Sequence, residues 1–235
     1  MSTSMGNLSP SWIRILPFAA YLGFLGLMSG VEWAGARFPG AETWVQAVTL
    51  WHYPIKTAVV IALLVLLWPR YDELQGPVVK SSHELGLSAA IGVAVYLAWV
   101  RMDWPWAMQG TAIGYNPFQN GVVLGTGLAA VRLLGASLVV PVMEEIFWRS
   151  FLLRYLINPR FEVVPLGTFT PASLAVTVVL FGLEHQLWLA GMMAGLAYSV
   201  LCYRTRRLWP CIVAHGVTNL CLGIHVLVTG EWHWW

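Results

Sequence analysis

Two adjacent acids and an arginine four residues after the second, in the stretch Glu144-Glu145-Ile146-Phe147-Trp148-Arg149, sit inside an apolar run. Two further pairs spaced four apart, Phe181 with His185 and His215 with Asn219, stand in later apolar runs. A carboxylate, two imidazoles and an amide supply a general base, a second proton-handling group and donors for an oxyanion. That set suits the addition of water to a carbonyl. No serine or cysteine stands clearly beside it as a nucleophile, since Ser150 and Ser199 read as ordinary helix residues. Water activated by a carboxylate is the more economical chemistry.

The elements that must position these groups are membrane helices. The chain has 235 residues, of which 58% are hydrophobic and 10% charged, a composition outside the soluble range. Its apolar runs approach or exceed the roughly 20 residues needed to cross a bilayer. They cover about 12–30, 43–68, 85–100, 121–157, 171–187, 188–203 and 208–229. The expected fold is therefore a single all-α polytopic membrane domain over 1–235, with a motif-bearing core over 121–225. Each charge at the centre of a spanning helix costs roughly 2.5–3.5 kcal/mol, so the Glu144, Glu145 and Arg149 trio requires compensation. Arg14, a short apolar core and Ala34-Gly35-Ala36 imitate a secretory signal, but the chain goes on crossing the membrane and an uncleaved first span is preferred. Cys202, Cys211 and Cys221 are odd in number and read as small packing residues rather than a disulfide framework. No basic run interleaved with aromatics suggests a nucleic-acid partner.

The run 121–157 is long for one span and contains Pro141. Basic residues favour the cytoplasmic side and arbitrate between one helix and two. One long helix gives seven spans and places Arg14, Arg70, Lys80, Arg154, Arg160, Arg204, Arg206 and Arg207 on one side against Arg37 and Arg101. Two helices, broken near Pro141, give eight spans and a poorer split. The two-helix form also needs a turn with free backbone groups inside the bilayer. Seven spans in the cell (inner or plasma) membrane with a cytoplasmic amino terminus are expected. At about 1.5 Å per residue, Glu144, His185, His215 and Asn219 then fall in one slab between the midplane and the cytoplasmic face.

Helix geometry divides the acids. Glu145 and Arg149 share a face and can pair, whereas Glu144 is rotated by about 100° from Glu145 and is free to face something else. Pro141 removes a backbone donor just before the pair and gives room for water and substrate. Other polar positions have plainer readings. Lys56 shares a helix face with His52 and reads either as part of a polar inward face or as a residue snorkelling to the interface, His225 and His233 have no partner at a useful spacing, and Glu231 to Trp235 read as an interfacial anchor.

Taken in order, Glu144-Glu145-x-x-x-Arg149, Phe181-x-x-x-His185 and His215-x-x-x-Asn219 resemble the three motifs of the CAAX protease and bacteriocin-processing family, also called Abi. These are glutamate intramembrane proteases that include the type II CAAX prenyl endopeptidases. The resemblance implies that Glu144 and His185 activate the hydrolytic water, that His215 and Asn219 stabilise the oxyanion, and that Glu145 and Arg149 hold the site in shape. It implies a protein or peptide substrate, lipidated or membrane-anchored among its forms, with membrane lipid as the surroundings and no cofactor or metal. CAAX endopeptidases of this type resemble an eight-span fold, and Glu184 adds an acid beside His185. The Glu-Glu-Ile-Phe-Trp-Arg form is also similar to a bacterial CAAX protease-related branch associated with surface-protein sorting. Three alternatives stand beside the protease: a zinc intramembrane metalloprotease using Glu144, His185 and His215, a transporter that uses the same buried polar cluster, and a non-catalytic scaffold.

Overall fold

The computed structural model describes residues 8–38, 40–110 and 114–235. Its described residues form seven helices with no strand among them; the connections after α2, α3 and α4 are long and the others short. They are α1 (Pro10–Arg37), α2 (Glu42–Leu67), α3 (Ser82–Trp99), α4 (Val122–Tyr155), α5 (Pro171–Glu184), α6 (Trp188–Thr205) and α7 (Trp209–Thr229). By length and composition, α1, α2 with its following turn, α4 and α7 can each cross a membrane. Local chemistry sets the ends. The Ser9, Ser81 and Thr170 hydroxyls accept from the Trp12, Glu84 and Ser173 amides at the starts of α1, α3 and α5, satisfying donors that a helix start leaves free. Gly230, at φ 73°, closes α7 in the left-handed conformation that glycine adopts at no steric cost.

The long run is one continuous helix of 34 residues, so the eight-helix alternative with a break near Pro141 is not taken. Two wide π turns, Gly135–Val139 and Ile146–Leu152, let it pass Pro141. The Val140 amide donates to Gly135 O, five residues back, which takes the usual donor away from Ala136 O. Pro141 has no N–H with which to replace it. Asn219 of α7 does so, its Nδ2 lying 2.9 Å from Ala136 O. One turn earlier, Gly216 lets α7 come close enough that a Cβ there would lie 2.7 Å from Ser137 O.

The core is built around α4, α6 and α7, with Met143, Ile146, Trp148, Phe181, Tyr198, Leu201 and Ala214 buried together. Helix α3 crosses α7 tightly, because a Cβ on Gly92 would collide with Ala214 O and Val217. Where α1 begins and α4 ends, a polar network ties the bundle shut. Glu73, between α2 and α3, accepts from Arg14 Nε at 2.9 Å and Nη2 at 2.7 Å, and also from the Ser150 hydroxyl. Arg154 donates to Ser150 Oγ at 2.8 Å and to Val164 O at 3.2 Å.

Candidate active site

Glu145 and Arg149 lie at the centre of the core and both are 0% exposed. Arg149 Nη1 donates to Glu145 Oε1 at 3.0 Å, and Nη2 donates to Gly195 O of α6 at 3.1 Å. The guanidinium carbon also lies 4.5 Å from the Phe181 ring centroid and 5.5 Å from that of Tyr198. This buried charge thus has a carboxylate, a carbonyl and two aromatic faces, which is what a cation deep in a bundle requires.

His215 joins the two acids. Its Nδ1 is 3.0 Å from Glu145 Oε1, so that nitrogen carries the proton, and its Nε2 is 4.0 Å from Glu144 Oε2. The Tyr198 ring stacks on it at 5.0 Å between centroids and 19° between planes. Tyr198 in turn donates to Thr218 Oγ1 at 2.7 Å, and Thr218 donates to Gly92 O at 2.9 Å and Ala214 O at 3.1 Å. The imidazole is therefore fixed in both tilt and tautomer by groups from α3, α4, α6 and α7.

Glu144 behaves differently from its neighbour. It is 4% exposed, and its Oε2 has no hydrogen-bond partner among the described residues. It faces a cavity of about 280 Å³ that His185, His215 and Asn219 also line, together with Tyr21, Tyr53, Trp99, Arg132 and Trp235. All four residues expected to form the chemistry thus share one chamber, and Glu145 and Arg149 stand behind its wall.

His185 is not within a helix, as its spacing from Phe181 suggests. Helix α5 ends at Glu184, and His185 is the extended cap residue, with ψ 142°. Its ring nevertheless reaches back to the last turn, with Nδ1 2.7 Å from Phe181 O. Nδ1 is therefore the protonated nitrogen, leaving Nε2 as an acceptor. Trp99 packs edge-on against the ring at 5.4 Å, and Gln109 Nε2 donates to Leu183 O and His185 O, each at 3.1 Å. The Trp-rich connector after α3 thus pins the turn that carries His185.

Sequence reasoning missed these supports. Tyr198, Gly195 and Ser199 recur on one face of α6 and mark a buried polar seam, but nothing in their spacing names Arg149 as the group they serve. His225 also has partners, Tyr96 Oη at 3.0 Å and Glu231 Oε2 at 2.9 Å. The expected interfacial tail instead folds back, placing Trp234 and Trp235 on the cavity wall. Of the two readings of Lys56 the inward one holds, since it is 2% exposed. Among the described residues no three His, Cys, Asp or Glu side chains converge closely enough to hold a metal ion.

Residues 126–221 match the family of the type II CAAX prenyl endopeptidases, Rce1-like. The motif-bearing segment is CAAX-protease-like. The match spans less than half of the chain and takes in Glu144, Glu145, Arg149, His185, His215 and Asn219. No curated protein and no solved structure matches the chain significantly.

Proposed function

We propose that the chain is a membrane-embedded endopeptidase that hydrolyses a peptide bond with a water activated by Glu144. The observation that carries this reading is the unpartnered Glu144 carboxylate, facing a chamber shared with His185, His215 and Asn219. It is supported by the family match over the same segment.

In this mechanism Glu144 takes a proton from water, and His185 accepts a hydrogen bond from the same water at Nε2 and holds it in line. The oxygen attacks the scissile carbonyl, whose developing oxyanion is met by Asn219 and His215. Asn219 spends one of its two N–H donors on Ala136 O and keeps the other. His215 donates from Nδ1 to Glu145, so donation from Nε2 requires a ring carrying both protons. The Glu145 carboxylate stabilises that imidazolium, which gives Glu145 an electrostatic part beyond bracing Arg149. Collapse of the tetrahedral adduct transfers the proton from Glu144 to the leaving amine. The substrate is a protein or peptide that reaches the membrane, the amino terminus is cytoplasmic, and the reaction uses no metal.

The test is mass spectrometry of protein termini in membranes of cells carrying the wild-type chain or Glu144→Gln. New termini present with the wild type and lost in the variant identify the substrate and the cleaved bond. Identical termini in the two would overturn the reading. Activity that survives a chelator separates it from a zinc peptidase.

A further inference from the structure

The Glu144 chamber has a cationic end that the hydrolytic reading does not use. Lys56 of α2 places Nζ 3.8 Å from the Tyr21 ring centroid and 5.0 Å from that of Tyr53. Arg132 of α4 places its guanidinium carbon 5.2 Å from the same Tyr53 ring and 5.2 Å from the Trp235 ring. Tyr53 is thus flanked by two cations. Tyr21, Tyr53 and Arg132 line the chamber with Glu144, and an adjoining cavity of about 310 Å³ shares Tyr53, Arg132 and Trp235 and adds Lys56.

Lys56, buried, and Arg132, half-buried, differ from the other inward cations. Arg14 and Arg149 each have a carboxylate within 3.0 Å, and Arg154 donates to Ser150 and Val164. Among the described residues, neither the Lys56 ammonium nor the Arg132 guanidinium makes a hydrogen bond or an ion pair. Glu32 also lines the adjoining cavity but is exposed and pairs with neither. Aromatic faces attract a cation yet leave its N–H donors unused, three on lysine and five on arginine. Glu144 acts on Lys56 through space without pairing with it, so the buried ammonium keeps its charge at a cost that a ligand carboxylate can relieve.

We infer that Lys56 and Arg132, on either side of Tyr53, form an anion subsite of the Glu144 chamber that holds a carboxylate of the peptide substrate. The inference rests on the hydrolytic reading for its substrate class, since the anions an unmodified peptide brings are its terminal carboxylate and its Asp and Glu side chains. Arg132 precedes Glu144 by twelve residues of α4, on the order of 18 Å along the axis. An extended peptide rises about 3.3 Å per residue, and the arginine side chain shortens the gap. The carboxylate therefore lies some three to five residues, roughly, from the scissile bond.

The test uses the full-length protein in detergent and matched synthetic peptides, each made with a free terminal carboxylate or a terminal amide, and with or without an Asp or Glu within five residues of the cleaved bond. Wild-type protein should cleave carboxylate-bearing peptides about 10- to 100-fold faster than uncharged ones, as expected for charge-assisted hydrogen bonds. A preference lost on amidation assigns the terminal carboxylate, and one that follows Asp or Glu and survives amidation assigns the side chain. Lys56→Gln and Arg132→Gln should bring the ratio towards one, mainly through KM, and Lys56→Arg should restore part of it. Variants that slow every peptide equally and keep the ratio would make the pair structural and overturn the inference. Binding of fluorescent acid and amide peptides to Glu144→Gln protein separates the two readings. Equal binding overturns the subsite whatever cleavage shows, whereas acid-selective binding lost in Lys56→Gln, with no cleavage by the wild type, leaves the subsite standing and removes the peptidase.

Discussion

Helix α4 carries two buried polar networks one turn apart, and they are not built alike. At the helix end, Glu73 receives both arms of Arg14 and the Ser150 hydroxyl, and Arg154 closes the ring on Ser150. Each carboxylate oxygen there has a donor. At mid-helix, Arg149 and His215 both address Glu145 Oε1, whereas Glu144 Oε2 has no partner among the described residues. The first network is a closed clasp. The second holds one carboxylate behind the wall through Oε1 alone, its Oε2 having no partner among the described residues, and presents the next one, with no hydrogen bond, to a chamber. An unsatisfied oxygen is thus common to both acids; what distinguishes Glu144 is that it has no ion-paired arginine and faces a chamber with His185, His215 and Asn219, which supports its reading as the base.

Four changes would break or sharpen this contrast. The largest effect is expected for Glu144→Gln, which removes the proposed base and should lower peptide cleavage by about 10²- to 10⁴-fold while leaving the thermal midpoint near that of the wild type. Next comes Arg149→Met, which strands Glu145 in the core. It should destabilise the protein by about 3–5 kcal/mol in thermal unfolding in detergent, and the added change Glu145→Gln should recover part of that loss. Breaking the clasp with Glu73→Gln should cost less, about 1–3 kcal/mol, with cleavage per folded molecule nearly unchanged. Gln109→Ala, which frees the turn carrying His185, should cost under about 1 kcal/mol and raise KM a few-fold.

The clasp also carries a pH signature. Burial by itself raises the Glu73 carboxyl, but the hydrogen bonds and charge of Arg14, helped by Ser150, outweigh it and hold the group below its ordinary value of 4.5. A carboxyl depressed in the folded state stabilises at pH above its unfolded value, and that contribution is lost as pH falls through the lower folded value. Unfolding midpoints measured down through the acid range should therefore fall more steeply for the wild type than for Glu73→Gln.

Much of this molecule can be read from its residues. Apolar length and loop charge anticipate seven helices with a continuous fourth, and the four-residue spacings anticipate the Glu145 and Arg149 pair and the separate facing of Glu144. Contacts between distant helices are less legible. Pro141 reads as a kink, but its consequence, a bare Ala136 carbonyl capped by Asn219 eighty-three residues on, depends on how α7 packs. Lys56 reads equally as inward or snorkelling, because its burial against Tyr21 depends on α1. The Arg14 and Glu73 clasp joins residues 59 apart, and Glu73 lies in a stretch that looks like an ordinary polar loop.

The central claim is that adjacent acids have separate duties, Glu144 as base and Glu145 as brace. The most direct measurement compares Glu144→Gln with Glu145→Gln for two quantities at once, thermal midpoint and new protein termini in cell membranes. Glu144→Gln is expected to melt like the wild type and generate no new termini, whereas Glu145→Gln is expected to melt lower and to keep some cleavage, reduced beyond its folded fraction because the His215 imidazolium loses its carboxylate. A Glu145→Gln protein that is fully folded yet silent, beside a Glu144→Gln protein that still cleaves, would contradict it and exchange the two roles.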